Sequence, residues 1–416
     1  MFQPLKGVRV IDMSHVIAGP LASFYLAQLG AEVIKIESPH GGDVMRSSKA
    51  RPDEGDTPGG FAVLNAGKRS FAVDIRTPEG AQLVRTLAAT ADVFIENFRP
   101  GVVARHGLDY EAIRAVRPDV IYCSISGYGQ AGEWAGRGAY DHVVQALTGM
   151  MMMNGDAPDA PPMKVGFPVI DVAVGMLGAL SIVAALQGRG RDGQSQYIDA
   201  SMVQASLMLM YPNASNFLTS RAEPPRAGNR GYTGSPTADT YRCRDGWLST
   251  AANTPAQFRQ MAAVLGLEHL CDDGDALDLD AFNAPGGFVV PRDVERLRGE
   301  FNAALSERSA AEMEEALNAR GVPAARVRRL GEFLDEVQVG SNLPLAPVQY
   351  TQRAGTVRTP GIGFRLDEDR SQPRAGAPGL GGDTAAVLAE LGLAPADIRA
   401  LREAGIVKEA VSHTAP

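Results

Sequence analysis

Short apolar segments alternate with helical segments over the first third of the chain, and this alternation limits the possible folds most strongly. Five segments have the composition of strands: Val8–Asp12, Glu32–Glu37, Phe71–Ile75, Asp92–Glu96 and Val120–Ile125. Strands that alternate with helices form a parallel sheet with helices on both faces, and ligands bind beyond the carboxyl ends of its strands. The sequence therefore predicts an α/β fold. Its ligand site should lie in the loops that follow the strands, which contain His15–Gly19, Arg76, Asn97–Arg99 and Gly127–Gly129.

The first strand–helix–strand unit, over residues 7–37, has the length of a dinucleotide-binding unit but lacks its phosphate loop. Glu37 ends the second strand, where a ribose-binding acid would stand. The first turn, Met13–Pro20, does not contain the glycine fingerprint G-x-G-x-x-G. We therefore expect a Rossmann-like sheet without a standard dinucleotide site, which argues against a nicotinamide-dependent dehydrogenase.

Asp171 is the only charged residue between Lys164 and Arg189, and it stands where an extended segment gives way to a helix. The residue before Pro168 is not readily helical, whereas Val172–Leu186 consists of small and apolar residues. An aspartate in this place is either a helix N-cap or a reactive carboxylate at the positive end of a buried helix. The apolar run is shorter than the roughly 18–20 residues of a membrane span. We therefore expect a helix that is buried on all sides or lies at a subunit contact.

Composition narrows the class of protein. The 416 residues carry a formal charge of −8, and the pI of about 5.4 argues against nucleic acid or an anionic membrane as a partner. No basic-then-apolar segment opens the chain, so no signal peptide is expected. Neither the cysteines Cys123, Cys243 and Cys271 nor the six histidines have the spacing of a metal site. We expect a reduced, cytoplasmic protein without a metal.

The character of the sequence changes after residue 220. Prolines and glycines are dense over residues 221–236, Thr240–Thr250 resembles a hairpin with Asp-Gly at its turn, and helical patterns fill much of 255–335. Two helical segments follow near the end, at Thr384–Gly392 and Ala396–Ala404. The predicted organisation is a large Rossmann-like domain over residues 1–204, a linker with a glycine loop over 205–235, a small α+β domain over 236–335, and a return linker with C-terminal helices over 336–416 that pack on the large domain.

The run Met150–Met153 has two interpretations. Consecutive methionines usually provide pliable packing, and less often they form the wall of an acyl pocket.

Several segments resemble the class III CoA-transferases, the CaiB/BaiF family that includes formyl-CoA transferase. They are Leu5–Asp12, His15–Pro20, Leu29–Glu37, Asn65–Ser70, Glu96–Gly101 and the pattern Tyr140-Asp141-x3-Gln145-Ala146. The resemblance covers nearly the whole chain, in order and at similar spacing. It implies a Rossmann-like large domain built from both chain ends, a small domain, and a homodimer of two interlocked chains.

The resemblance also implies the chemistry. It places the catalytic aspartate of the family at Asp171, which would carry CoA from an acyl-CoA thioester to a carboxylic acid, including small dicarboxylates. The intermediates would be an aspartyl anhydride and an aspartyl-CoA thioester, with CoA thioester as substrate and no tightly bound cofactor. A substrate loop that excludes water would contain Gly231, Gly234 and Ser235.

The CoA contacts implied by the resemblance fall in the loops already identified. Arg99 and Arg105 are either cations for the nucleotide phosphates or solvated surface charges. Ile17 and Ser38 differ from the residues of oxalate-handling members, which weakens a formyl-CoA:oxalate assignment. The expected contact residues are His15, Val16, Ile17, Ala18, Val73, Asp74, Ile75, Arg76, Asn97, Phe98, Arg99, Arg105 and Tyr140.

Two functions other than CoA transfer are compatible with parts of the sequence. A 2-methylacyl-CoA racemase or epimerase of the same family would have histidine where this chain has Tyr140. His142 is near, but a two-residue offset on a helix points to another face, so we expect a structural histidine. A non-catalytic CoA-binding protein is disfavoured because Asp171 is retained.

Overall fold

The computed structural model describes residues 3–48, 58–156, 159–231, 237–335, 346–349, 356–359, 361–364 and 376–410. The chain divides into two compact units. The first comprises Met1–Met150, Lys164–Arg221 and Leu343–Pro416, and the second comprises Met151–Met163 and Ala222–Asn342. The first unit thus contains both ends of the chain, and its middle segment runs beyond residue 204 to Arg221.

A seven-stranded sheet forms the centre of the first unit. Its strands lie in the order β12-β3-β2-β1-β4-β5-β6, and all are parallel except the short β12, which pairs antiparallel with β3. The prediction of an α/β fold with a mostly parallel sheet is confirmed. The strands are β1 (Arg9–Met13), β2 (Glu32–Glu37), β3 (Arg69–Val73), β4 (Val93–Glu96), β5 (Ile121–Ser126), β6 (Gln196–Ser201) and β12 (Val407–Lys408).

Helices cover this sheet, and local signals set their ends. The Thr77 hydroxyl accepts a hydrogen bond from the backbone N–H of Gly80 at 3.0 Å, which caps the helix that follows. The helices of the first unit are α1 (Ala18–Gln28), α2 (Gly59–Asn65), α3 (Pro78–Ala88), α4 (Tyr110–Val116), α5 (Asp141–Leu147), α7 (Val169–Asp192), α8 (Met202–Leu209), α9 (Tyr211–Ser220), α15 (Thr384–Glu390) and α16 (Pro395–Glu403). A short helix, α6 (Met150–Met153), contains the point in the sequence where the chain passes from the first unit to the second.

One apolar core joins the N-terminal and C-terminal parts of the first unit. Phe71 and Phe94 on the sheet belong to the same buried cluster as Val387 and Leu388 of α15 and Ile398 of α16. The end of the chain therefore stabilises the sheet, both through this core and through the pairing of β12 with β3.

The second unit contains a three-stranded antiparallel sheet with its own core. Strand β7 (Ala238–Cys243) and strand β8 (Gly246–Ala251) form a hairpin with the two-residue turn Arg244-Asp245, and β8 also pairs with β9 (Ala324–Arg326). The helices of this unit are α10 (Pro255–Leu265), α11 (Leu279–Asn283), α12 (Val294–Ser306), α13 (Ala310–Ala319) and α14 (Leu330–Asp335). A separate antiparallel pair of strands, β10 (Ala346–Gln349) and β11 (Thr356–Thr359), lies in the return segment.

Helix α7 is longer and less buried than the sequence suggested. It has 24 residues, and by length and composition alone it is apolar enough to cross a membrane. It packs against α1, β5, β6 and α8, but Met176 and Leu180 are exposed in the single chain. In the single chain the helix is not buried on all sides, because only part of its surface faces the rest of this chain, and the alternative expectation of a subunit contact stays a prediction.

Candidate active site

The strand order of the sheet reverses between β1 and β4, and the loops after these two strands face each other across that point. The His15 backbone N–H donates to Asn97 Oδ1 at 2.9 Å, and Asn97 Nδ2 donates to the His15 carbonyl at 2.8 Å. The Phe98 ring lies against the imidazole, with centroids 5.1 Å apart. In sheets of this kind ligands bind at the reversal of strand order, so the predicted residues after β1 and β4 share one crevice.

Val16 has a left-handed backbone conformation, with φ of 67°. A β-branched residue rarely adopts positive φ, and the cost is about 1–3 kcal/mol. The Val16 N–H donates to Asp43 Oδ1 at 3.2 Å. The loop from His15 to Ile17 is therefore held in an unfavourable conformation by its surroundings, as is common at ligand sites.

A cluster of four buried charged residues lies beneath this loop, and we call Asp12, Lys35, Asp43 and Lys68 the charged cluster. Lys68 Nζ lies 2.9 Å from Asp12 Oδ2, and Lys35 Nζ lies 3.0 Å from Asp43 Oδ2. Lys35 also donates to the Ser14 carbonyl at 2.7 Å. Each carboxylate of the cluster therefore has an ammonium partner, and the pairs fix the backbone just above them.

The pKa values in the charged cluster follow from this pairing. Burial acts to raise the pKa of Asp12, but Lys68 and Lys35 outweigh it and hold the pKa below its usual range. Burial acts to lower the pKa of Lys35, but Asp12 and Asp43 outweigh it and the pKa is raised. Burial lowers the pKa of Lys68 to about 8. The cluster therefore carries two ion pairs at neutral pH.

The predicted residues after β3 bind each other. Arg76 donates from Nε and Nη2 to the two carboxylate oxygens of Asp74, at 2.8 and 2.7 Å, and this bidentate pair lowers the pKa of Asp74 to about 2. Val73 is buried in the sheet and Ile75 packs against the core. The Arg76 guanidinium is exposed but already occupied by a carboxylate.

Arg99, Arg105 and Tyr140 are also exposed. Within the described part of the chain, neither Arg99 nor Arg105 makes a side-chain hydrogen bond or ion pair. The Arg99 guanidinium lies against Gly138, where an added Cβ would stand 2.9 Å from its Nη2. Both cations are available to an anionic ligand.

Asp171 lies in the first turn of α7, but it does not cap the helix. Asp141, at the start of α5, accepts hydrogen bonds from the backbone N–H groups of Ile170 at 2.7 Å and Asp171 at 3.1 Å. Gln145 Nε2 in turn donates to Asp141 Oδ1 at 2.5 Å, and its Oε1 accepts from the Val165 N–H at 2.9 Å. The N-cap interpretation of Asp171 is wrong, because a carboxylate from another helix already occupies the free N–H groups.

The environment of Asp171 makes its carboxylate unusually basic. Burial and the neighbouring charge of Asp141 raise its pKa to about 6. Among the described residues, no donor forms a hydrogen bond with the Asp171 carboxylate. A desolvated carboxylate without hydrogen-bond donors is a stronger nucleophile than one in water.

Close packing of α7 on α1 brings Asp171 near the strained loop. Gly175 follows Asp171 by one helical turn on the same face, and a Cβ at Gly175 would lie 2.7 Å from the Ala18 carbonyl oxygen. Ala18 is the first residue of α1 and directly follows the loop after β1. The start of α7 and the loop therefore lie at the same edge of the sheet.

His142 lies beside Tyr140 rather than on another face. Their rings are nearly parallel at 11°, with centroids 6.3 Å apart. Tyr140 precedes α5 in an extended conformation, so the helical offset used in the sequence prediction does not apply to it.

The predicted substrate loop is described at one of its three residues. The Gly231 N–H donates to the Ala238 carbonyl at 2.6 Å within the second unit, and an added Cβ would lie 2.5 Å from the Ala238 Cβ. Gly234 and Ser235 lie outside the described residues.

The proposed ribose-binding acid is also engaged elsewhere. Both carboxylate oxygens of Glu37 accept hydrogen bonds from Arg46 at 2.7 Å, and Ser70 Oγ donates to one of them. Glu37 is buried, so it is not available to a ribose.

Sequence reasoning missed residues that shape the site. Asp141 could have been found from its spacing to Gln145, since residues four apart share a helix face. Lys35 could have been found as a lone cation inside an apolar strand. Glu96, whose pKa burial raises to about 7, was identified only as the end of a predicted strand and was given no role. No group of three or more metal-ligating side chains occurs among the described residues.

The comparisons with known proteins decide the family. The profile described as CoA-transferase family III matches residues 5–384. This chain belongs to the class III CoA-transferases. Its relatives are named as CoA-transferases, so as an enzyme it is a CoA-transferase.

Named relatives and solved structures cover nearly the whole transferase. A succinate–glutarate CoA-transferase of Agrobacterium fabrum is 36% identical over 93% of this chain and 96% of its own. A succinyl-CoA:glutarate CoA-transferase of Mus musculus is 31% identical, covering 94% and 86%. The crystal structure of a CaiB/BaiF family protein from Brucella suis has a TM-score of 0.79 at 30% identity, covering 94% of this chain and 100% of that one.

Proposed function

We propose that this transferase moves CoA from a dicarboxylic acyl-CoA, such as succinyl-CoA, to a second small dicarboxylate, with Asp171 as the nucleophile. The observation that carries the proposal is the state of Asp171. Burial and Asp141 raise the pKa of its carboxyl group to about 6, and among the described residues no donor forms a hydrogen bond with the carboxylate. It is still largely ionised at neutral pH and is ready to attack an electrophile.

The first half-reaction frees the donor acid. A carboxylate oxygen of Asp171 attacks the thioester carbonyl, the carbon–sulfur bond breaks, and CoA leaves as a thiolate. The product is a mixed anhydride of the acyl group and Asp171. The thiolate then attacks the aspartyl carbonyl, and the carbon–oxygen bond of the anhydride breaks. The donor acid leaves, and Asp171 remains bound to CoA as a thioester.

The second half-reaction is the reverse with a different acid. The acceptor carboxylate attacks the aspartyl thioester, releases the thiolate and forms a new anhydride. The thiolate attacks the acyl carbonyl of that anhydride, which forms the new acyl-CoA and restores the Asp171 carboxylate. No proton or redox partner is consumed. Water must be excluded because it would hydrolyse both intermediates, and a loop with Gly231, Gly234 and Ser235 is our candidate for that role.

The names of the relatives support dicarboxylate substrates. Both relatives described above are named for succinate or succinyl-CoA together with glutarate. A second carboxylate on each substrate requires a cation or a set of donors near the reacting centre. Arg76 is not available for this role, because its guanidinium is bound to Asp74.

The CoA site that we propose uses the crevice between β1 and β4. The loop His15–Ala18 and the segment Asn97–Arg99 would flank the pantetheine and adenine, with Tyr140 beside the thioester. Arg99 and Arg105 would meet the phosphates. Burial lowers the pKa of His15, so its imidazole is neutral near pH 7 and serves as a packing and hydrogen-bonding group rather than a cation.

We also propose that the transferase works as an interlocked homodimer in the cytoplasm. The exposed Met176 and Leu180 on α7 are apolar side chains that a second chain would cover. Light scattering coupled to size exclusion tests this directly, and a mass equal to one chain would contradict it.

Trapping the covalent intermediates tests the nucleophile. The enzyme is incubated with succinyl-CoA, quenched with borohydride or hydroxylamine, digested, and analysed by mass spectrometry. We expect modification at Asp171 alone. An unmodified Asp171 peptide from protein that is competent for turnover would refute the proposal.

The same preparation separates transfer from racemisation. A 2-methylacyl-CoA is incubated in deuterated water with and without an acceptor acid, and His142→Ala serves as the matched variant because His142 lies beside Tyr140. We expect CoA transfer without deuterium at C2. Deuterium exchange that depends on His142 and occurs without transfer would favour the racemase instead.

A further inference from the structure

We propose that the buried Lys35–Asp43 ion pair is a positioning device for the loop His15–Ala18 and holds it in the conformation that receives acyl-CoA. The inference rests on the proposed role of this loop in CoA binding. Neither charged side chain has to touch the substrate, because both act through backbone atoms of the loop.

The pair holds backbone groups on both sides of His15. Lys35 Nζ donates to the Ser14 carbonyl at 2.7 Å, and Asp43 Oδ1 accepts from the Val16 N–H at 3.2 Å. The ion pair itself, at 3.0 Å, links these two contacts. The ion pair therefore fixes Ser14 and Val16, the residues immediately before and after His15, whose backbone is hydrogen-bonded to Asn97.

Asp43 is itself fixed in place. Its Oδ1 also accepts from the Met45 N–H at 3.0 Å, which caps a short 3-10 helix at Val44–Ser47, and its own N–H donates to Glu37 Oε1 at 3.1 Å. Both Lys35 and Asp43 side chains are almost completely shielded from water. Hydrogen bonds and ion pairs hold best in such a medium, where water does not compete for the donors.

The loop needs this support because of Val16. A φ of 67° is unfavourable for the β-branched Val16. If the Val16 N–H were released from Asp43, its φ would become negative and the backbone at His15 and Ile17 would change direction. When only a fraction of molecules has the competent loop, the apparent dissociation constant rises in inverse proportion to that fraction. The ion pair is thus expected to set the affinity for CoA more than the rate of the chemical steps.

A double-mutant cycle tests the coupling. Asp43→Asn is made in the natural chain and in the Val16→Gly background, and the Kd for CoA, the KM for acyl-CoA and kcat are measured for all four proteins. In the natural background we expect Kd and KM to rise about tenfold or more, with kcat changed less than about threefold. In the Val16→Gly background the same change should raise Kd less than about threefold, since glycine adopts positive φ without a steric cost. Equal rises in both backgrounds, or no rise in either, would overturn the proposal.

A matched control separates positioning from general stability. Asp239→Asn breaks a partly buried ion pair, in which Arg298 lies 2.7 Å from the buried Asp239 carboxylate in the second unit. It should lower the melting temperature, and any change in the Kd for CoA should be the same in the natural and Val16→Gly backgrounds. If Asp43→Asn gives little folded protein, the double variant Lys35→Gln with Asp43→Asn removes both charges and permits the same cycle.

The failure of the positioning role is distinguishable from the failure of the proposed function. CoA binding to the unmodified protein is measured first. Unmodified protein that binds no CoA would refute the proposed function and the inference together. Unmodified protein that binds CoA, with Asp43→Asn binding equally well, would refute the inference alone.

Discussion

Two groups of buried carboxylates lie in the first unit, and they differ in how their charge is balanced. In the charged cluster, Asp12 and Asp43 face Lys68 and Lys35 at 2.9 and 3.0 Å. At the start of α7, Asp171 has another carboxylate, Asp141, as its charged neighbour. The first arrangement stabilises the backbone, whereas the second destabilises an ionised side chain.

The difference shows in the pKa values. The lysines hold the pKa of Asp12 below its usual range, although burial opposes them. Burial and Asp141 raise the pKa of Asp171 to about 6. Asp141 also takes the helix N–H groups that would otherwise stabilise the charge of Asp171. The same chemical group is thus part of a structural ion pair where it is fully buried beside lysines, and a reactive carboxylate where it is partly buried beside another carboxylate.

The largest expected effect is on catalysis. Asp171→Ala should lower kcat at least about a thousandfold, because removal of a covalent nucleophile removes the reaction path itself. Binding of CoA should remain. Initial rates of transfer, followed by mass spectrometry, measure kcat, and calorimetric titration measures CoA binding. A kcat within tenfold of that of the natural protein would contradict the role of Asp171 as the nucleophile.

The second effect is on stability, in the charged cluster. Lys68→Met leaves the Asp12 carboxylate buried without its closest cation, which should cost about 3–5 kcal/mol of unfolding free energy. Urea denaturation measures the change. Adding Asp12→Asn to this variant should recover part of the lost unfolding free energy. A loss below about 1 kcal/mol in Lys68→Met alone would show that Lys68 does not balance a buried Asp12 charge.

Asp171→Asn should have the opposite sign. The folded pKa of about 6 lies above the value of about 4 in an unfolded chain, so ionised Asp171 destabilises the native state at neutral pH. Removing its charge should stabilise the protein by about 2 kcal/mol at pH 7.5, after a discount for partial exposure. The gain should shrink as the pH falls below 6 and vanish below about pH 4, where both states become protonated. Denaturation at several pH values measures it, and a destabilised variant at pH 7.5 would contradict the assignment.

The smallest effect is on pH dependence. Transfer needs ionised Asp171, so kcat/KM for acyl-CoA should fall as the pH drops below about 6. Asp141→Asn keeps one acceptor oxygen for the helix N–H groups but removes the charge, and should move this limb to lower pH by about one unit. A limb that stays in place would show that burial alone sets the pKa of Asp171.

Local sequence patterns determined much of the fold. The five predicted strands are present within one or two residues at each end, and the predicted helical segments Thr384–Gly392 and Ala396–Ala404 correspond to α15 and α16. The hairpin itself was predicted from local composition, but its turn is Arg244-Asp245 rather than Asp-Gly, since Gly246 is the first residue of β8. These features depend on residues that are close in sequence, so periodicity and turn chemistry suffice to predict them.

The order of the strands, and with it the roles of single charged residues, was decided by the tertiary structure. The sequence placed Asp171 at the start of an apolar helix, but the residue that caps this helix lies 30 positions earlier in the chain. Lys35 was visible as a cation within an apolar strand, whereas its contact with the carbonyl of Ser14, 21 residues earlier, was not. Such pairings depend on how distant segments pack, and burial there decides whether a carboxylate is neutralised by a lysine or left with a raised pKa.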